Sequence, residues 1–361
     1  MARTKTSNPH GDAIRIQGTQ RGTFPFVPSR AYFEKESLEY PLGRRVFKIL
    51  KELGTETMFT GSHNRVTGIP GSTPREAYLE GKRTLVVGVR KTMDFQTCKP
   101  SAHFQLPLVT GCPGRCHYCY LNTTLGKKPY IRIYVNTDEI LAEVEKYINA
   151  RLPEVTVFEG AATSDPLAVE PYTGSLAKAI AFFGKKEQAR FRFVTKFTNV
   201  DSLLSVPHGE HTRFRFSINS GNVIETYERG TPGLMQRLEA ASKVAAAGYP
   251  TGFIMAPVIK YDGWQDDYRA VFKNLKERFG SGNQLTLEII THRFTQKAKN
   301  IILQVFPGTP LALEETERKF KYGQFGYGKY VYQPETMDQI KSVLYGLIDE
   351  YVPDIKLEYF I

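Results

Sequence analysis

The chain is predicted to fold as an α/β protein, a partial (β/α)6 barrel of the TIM type with an N-terminal extension and a C-terminal β-hairpin. Two observations predict it. Strand-like and helix-like segments alternate from Thr84 onward, and an apolar run ending in a glycine turn leads into a cluster of three cysteines. Repeated strand–helix units place parallel strands side by side through right-handed crossovers. Counting from the cysteine strand gives about six units, and 361 residues suffice for one barrel.

Taken in order, residues 1–24 are polar and basic (Arg3, Lys5, Arg15, Arg21), lack periodicity and read as a disordered arm; residues 25–361 are expected to form one domain. Leu85–Val89, Phe104–Gly111 and Tyr130–Val135 read as strands. Asn136, with Glu139 three residues on, predicts a capped helix burying Ile140, Leu141, Val144, Tyr147 and Ile148. Val155–Phe158, Phe191–Val194, Phe214–Ser217, Gly252–Ala256 and Leu285–Ile289 continue the strands. Helices are predicted over Leu176–Phe183, over a stripe from Leu234 to Ala245 that stops at Gly248 and Pro250, and after Trp264. Catalytic residues should then lie at the C-terminal ends of strands.

The composition, 41% hydrophobic and 24% charged, is that of a globular protein, and no apolar run approaches the roughly 20 residues of a membrane helix. The N-terminus shows no secretory signal, and clustered cysteines suit a reducing compartment, so a cytoplasmic protein is expected. Lys and Arg total 48 against 37 acidic residues, a net charge of +11, which favours a polyanionic partner such as nucleic acid.

The spacing Cys112-x3-Cys116-x2-Cys119 carries the chemistry. Three thiolates can ligate three irons of a [4Fe–4S] cluster and leave the fourth iron to a ligand that is not protein, which S-adenosylmethionine (SAM) can chelate. The competing reading is a zinc-bound nucleic-acid module with His117 as fourth ligand; one continuous run lacks the two separated pairs of most zinc modules. The cluster at a barrel mouth is the radical-SAM pattern. Near the C-terminus, Arg318–Tyr332 interleaves basic and aromatic residues around glycines, predicting a hairpin over about 318–333. It is either a barrel cap or a wedge whose aromatics stack on bases while lysines meet phosphates.

From Phe26 to the C-terminus the chain resembles the spore photoproduct lyases, radical-SAM DNA-repair enzymes. The likeness is carried by Leu38–Gly43, Ser62-His-Asn64, Val87–Lys91, Cys116–Tyr120, Lys128–Arg132, Arg192–Lys196, Arg213–Asn219, His292–Thr295 and Gly328-Lys-Tyr330. The resemblance implies carbon–carbon lyase activity on 5-thyminyl-5,6-dihydrothymine in UV-damaged DNA. A 5′-deoxyadenosyl radical from SAM abstracts hydrogen at C6, the bridging bond breaks by β-scission, and the methylene radical left behind takes a hydrogen atom from the protein. It implies that Lys196 pairs with the SAM carboxylate, that Ser164 and Ser217 bond its methionyl part, and that Ala256 lies against its adenosine. It implies DNA contacts by Arg318, Lys321, Phe325, Lys329 and Tyr330. A flavodoxin- or ferredoxin-type electron donor, no membrane and a monomeric state complete the expectation.

Three places depart from the family. Its relatives carry a hydrogen-donating cysteine where this chain has Ala162, in Phe158-Glu-Gly-Ala-Ala162-Thr-Ser-Asp165, and a methyl C–H bond is too strong to substitute. Cys98 stands where relatives carry serine, so it is the candidate donor, with Tyr118 and Tyr120 relaying the radical; alternatively it is an inert small residue. In the hairpin, Gln324-Phe325 replaces Arg-Tyr, removing a guanidinium. These departures leave room for a different lesion or base as substrate.

Overall fold

The computed structural model describes residues 25–99, 101–280, 284–322, 326 and 328–361. The basic arm assigned to residues 1–24 lies outside the described residues, as do Gln324 and Phe325.

The barrel is a curled eight-stranded half-barrel sheet. Seven strands are parallel neighbours in chain order: Ala102–Gln105, Thr156–Glu159, Ala189–Thr195, Thr212–Ile218, Thr251–Val258, Thr286–Thr291 and Lys356–Phe360. Thr97–Cys98 pairs antiparallel at one edge, with Cys98 opposite Ala102. The last strand was missed in the sequence; its mixed run Lys-Leu-Glu-Tyr-Phe lacks clean alternation, but helix Pro334–Tyr351 delivers it beside Thr286–Thr291.

The predicted strands and helices appear with ends shifted by a few residues. Helix Thr137–Asn149 buries Ile140, Leu141, Val144 and Ile148, as its periodicity requires. Asn136 does not cap it by side chain; its amide instead bonds both the N–H and the C=O of Arg90 and the Glu139 carboxylate. A second correction concerns Phe104–Gly111, expected as one strand. Pro107, which has no N–H, lies between Ala102–Gln105, which joins the barrel, and Val109–Thr110, which joins another sheet.

That second sheet is what the sequence reading called an extension. It has the order Glu56–Thr60, Arg30–Glu34, Thr84–Gly88, Ile131–Tyr134, Val109–Thr110, the first four strands being parallel. Thr84–Gly88 and Ile131–Tyr134 therefore belong here and not to the barrel. Buried Glu34 ties three strand ends together: it accepts from the His63 amide (2.7 Å) and imidazole (2.9 Å) and from the Val89 amide (2.9 Å). Gly88 is needed beside it, because a Cβ there would lie 2.7 Å from the Glu34 carboxylate. One continuous apolar core takes in residues of both sheets, including Phe33, Val87 and Ile133 from one and Phe158, Phe193 and Phe253 from the other.

In the barrel, Phe-Arg-Phe alternation sorts the strands' two faces. Phe191, Phe193, Phe214 and Phe216 are buried in the core, while Arg192 and Arg215 point the opposite way. There they meet Glu159, Glu288 and Glu358, forming a buried ionic layer below the strand ends.

Candidate cluster, cofactor and lesion site

The cysteine loop begins at Gly111, whose φ of 85° suits glycine and whose Cβ would sit 2.6 Å from the Tyr130 carbonyl oxygen. A parallel bridge between Gly111 and Ser164 sets the loop against the barrel. Arg115–Cys116 pairs with Glu228–Arg229, Lys82 Nζ donates to the Cys112 carbonyl (2.7 Å) and Asn122 Nδ2 to that of Cys116 (3.1 Å). The Gly114 amide donates to Cys112 Sγ at 3.3 Å, and a Cβ on Gly114 would lie 3.3 Å from that sulfur and 4.0 Å from Cys116 Sγ. All four cysteines are free.

The donor set fits a cluster better than zinc. His117, which a zinc site would recruit, turns away: Nδ1 meets Thr309 Oγ1 at 2.9 Å and the ring stacks on Phe306 at 4.1 Å. Among the described residues no three His, Cys, Asp or Glu groups converge as a single metal ion needs; a [4Fe–4S] cube spreads its three cysteine ligands over three irons.

The four residues assigned to SAM occupy the C-terminal ends of neighbouring barrel strands. Lys196 follows Ala189–Thr195 directly, and its Nζ donates to Ser217 Oγ at 2.6 Å. Its amide donates to Asp165 Oδ2 (2.8 Å), and Glu228 Oε1 is 3.6 Å from its ammonium. Ser164 is buried and Ala256 is part-exposed on Thr251–Val258. Asp165 and Glu228 were missed in the sequence, where one carboxylate among many carries no signal. Burial raises Asp165 to about 6 against the hydrogen bonds that favour its ionised form. Burial opposes ionisation of Glu228 as well, but Lys196 and Arg237 outweigh it and hold the carboxyl below its usual value. Arg237, fully buried, bonds Glu228 at 2.5 Å and the Ser217 carbonyl at 2.9 Å.

Cys98, Tyr120 and Ala162 come together beside the ionic layer. The Tyr120 hydroxyl donates to the Ala162 carbonyl, and burial pushes the phenol up, with Cys119 and then Cys98 adding to the rise. Cys98 itself is pushed up to about 11, chiefly by burial and then by Glu159, so it stays an S–H group at neutral pH. Tyr118 lies elsewhere: its hydroxyl donates to Glu228 and its ring lies 6.0 Å from the Lys196 ammonium.

The hairpin forms between Arg318–Tyr322 and Gly328–Tyr332. Arg318 must be corrected: it is buried, stacks on Tyr332 at 3.9 Å and donates to the carbonyls of His292 (3.1 Å) and Ala312 (3.3 Å), so its guanidinium braces the hairpin and is not presented to DNA. Tyr330 is stacked on Phe294 (5.3 Å) and bonds Glu315 (2.8 Å). Lys321 is exposed and pairs across the hairpin with Lys329, whose ammonium is disfavoured by burial and by Arg293 and Lys321. Phe320 and Tyr322, 48% and 72% exposed, are the described aromatics that protrude. They and Arg293 were missed as site residues, although the basic–aromatic interleaving contained two of them.

A family model for spore photoproduct lyase matches residues 26–361. The spore photoproduct lyase of Clostridium acetobutylicum is 49% identical over 332 residues, covering 92% of this chain and 98% of that protein. That of Bacillus subtilis is 47% identical over 338 residues, covering 93% and 99%. A spore photoproduct lyase solved with dinucleoside spore photoproduct superposes with a TM-score of 0.90 at 49% identity, covering 93% of this chain and all of that one. Equal superposition (0.90) is found with a double mutant, one cysteine changed to alanine and one serine to cysteine, holding AdoMet and dinucleoside spore photoproduct. With its cysteine loop, its strand-end lysine and serines and these relatives along nearly its whole length, the chain belongs to the spore photoproduct lyase family.

Proposed function

We propose that this chain repairs 5-thyminyl-5,6-dihydrothymine in DNA to two thymines, as a radical-SAM carbon–carbon lyase. The observation that carries the reading is the Gly111–Ser164 bridge, which sets the three-cysteine loop beside the Lys196–Ser217 pair at one barrel mouth. Cys112, Cys116 and Cys119 would hold a [4Fe–4S] cluster, which would supply the electron for cleavage of SAM to the 5′-deoxyadenosyl radical. Lys196 holds the SAM carboxylate, an ion pair strengthened by the low dielectric of the barrel mouth. Ser164 and Ser217 bond the methionyl part, and Ala256 leaves room for the adenosine.

After β-scission, Cys98 gives its S–H hydrogen to the methylene radical on thymine and recovers a hydrogen from the Tyr120 hydroxyl. Tyr118, tied to Glu228, stands on the SAM side of the path back to 5′-deoxyadenosine. Support for Cys98 comes from the double mutant: its two substituted positions are as many residues apart as Cys98 and Ala162 are here. Lys321, Lys329, Phe320 and Tyr322 face the damaged strand, whose lesion leaves the stack at a cost of a few kcal/mol. The reading carries with it a cytoplasmic monomer in which residues 25–361 act as one unit, fed by a flavodoxin- or ferredoxin-type donor.

The test is an anaerobic incubation of the reconstituted protein with SAM, dithionite and dinucleoside spore photoproduct. Recovery of thymidine is expected; cleavage of SAM with the dinucleoside untouched points to another substrate.

A further inference from the structure

A groove of about 510 Å³ opens on the outer side of the cysteine loop, and nothing above uses it. Arg115 and His117, the residues flanking Cys116, form one wall. Arg75 and Arg229 line the groove with them. None of the three guanidiniums makes a hydrogen bond or ion pair among the described residues; Arg75 and Arg229 are exposed and Arg115 is half-buried. The floor is apolar: Phe306 and Pro307 lie there, with Phe306 stacked on His117 at 4.1 Å and set edge-on to Tyr78 at 5.2 Å.

We infer that this groove is the docking surface for an acidic one-electron carrier protein that reduces the cluster. This rests on the cluster reading above. An apolar floor with a cationic rim is the layout of a small protein–protein contact, and redox encounters fall at the small end of that range. Unpaired arginines steer a carboxylate-rich partner and gain most from its charge. A DNA backbone would have little use for the Phe306–Pro307 floor. The location adds the decisive element: the rim residues Arg115 and His117 are bonded in sequence to Cys116, so a carrier docked here stands one residue from a cluster ligand. The step is balanced: the carrier loses one electron, the cluster gains one, and no atom is transferred.

The experiment uses the reconstituted protein, a purified acidic flavodoxin held reduced, and the pair Arg75→Glu and Thr226→Glu, two groove positions outside the cysteine loop and the strand paired with it. Three quantities are read: flavodoxin binding by surface plasmon resonance, the rate of cluster reduction by flavodoxin, and repair driven by dithionite. We expect the double variant to bind flavodoxin and accept its electron at least about tenfold less well, with dithionite-driven repair unchanged. Raising salt to about 1 M, where the Debye length is about 3 Å, should bring wild type down toward the variant. Unchanged flavodoxin binding and reduction in the variant overturns the proposal. So does an equal loss with dithionite, which places these positions in the cluster's own support, or a matching loss of lesion-DNA affinity, which makes the groove a phosphate site. Wild type that dithionite cannot drive to repair would count against the lyase reading and not against docking.

Discussion

The Tyr120 hydroxyl donates its hydrogen bond to the backbone carbonyl of Ala162, the position from which the family's donor cysteine is missing. The hydroxyl therefore lies against Ala162, and Cys98 stands on the edge strand, paired with Ala102. In the proposed repair the Cys98 thiol and the Tyr120 phenol exchange a hydrogen atom; an alanine methyl cannot.

Cys98→Ala should therefore cleave the lesion without finishing it. Thymidine yield is expected to fall at least about tenfold, equivalent to 1.36 kcal/mol or more, with side products in its place. Adding Ala162→Cys to that variant should restore clean repair. Chromatography of the dinucleoside products decides; full-rate, clean repair by Cys98→Ala removes this thiol from the mechanism.

Tyr120→Phe separates the relay from the scaffold. One hydrogen bond to a carbonyl contributes about 1 kcal/mol, so folding should hardly change. The ratio of SAM consumed to lesion repaired should rise, because the hydrogen is no longer returned. A wild-type ratio in the variant would rule out Tyr120 as a relay.

The pH dependence of product partition tests the state of the Cys98 sulfur. A hydrogen donor must be protonated, and burial raises this thiol from its ordinary value near 9 to about 11. The sign follows: the donor form is present below the raised value and is lost only as pH rises through it. The fraction of lesion converted to two thymidines should stay level from pH 7 to about 10. A decline centred near 8.5, the value of a free thiol, would show a solvated sulfur.

How much of this was legible in the sequence depends on the range of the signal. Alternation within single strands made the barrel strands visible, and Phe-Arg-Phe even encodes which side chains enter the barrel. That Arg192 and Arg215 would find Glu159 and Glu288 there was not legible, because those pairings join residues 33 to 96 positions apart. The N-terminal sheet was hidden for the same reason: Val109–Thr110 belongs to it only because Pro107 breaks the run. The cysteine motif announced its chemistry by spacing alone. The role of Arg318 was misread because composition shows a basic hairpin but not which guanidinium is turned inward onto Tyr332.

The ionic layer gives a stability prediction. Arg215 is buried between Glu159 and Glu288, and its charge is held despite burial by those two carboxylates. Arg215→Met removes the cation and leaves two buried anions facing each other, with Arg192 alone to neutralise them. Such a loss costs about 3–5 kcal/mol. Thermal unfolding of the apo-protein should show it as a large drop in midpoint, independent of cluster loading. A variant as stable as wild type would mean that water reaches this layer.

Gly114→Ala tests the cysteine loop itself. The added methyl would lie 3.3 Å from Cys112 Sγ and 3.1 Å from Thr231 Cγ2, tighter than ordinary contact, so Cys112 Sγ must shift by a few tenths of an ångström while Cys116 Sγ, 4.0 Å away, stays in ordinary contact. The protein should fold normally, since the clash is confined to a loop. After anaerobic reconstitution it should hold clearly less iron and sulfide than wild type and show weaker visible absorbance. Because Gly114 contributes no ligand, that loss would come from the spacing of the thiols, and full iron content in the variant would mean that the loop relaxes freely around the cluster.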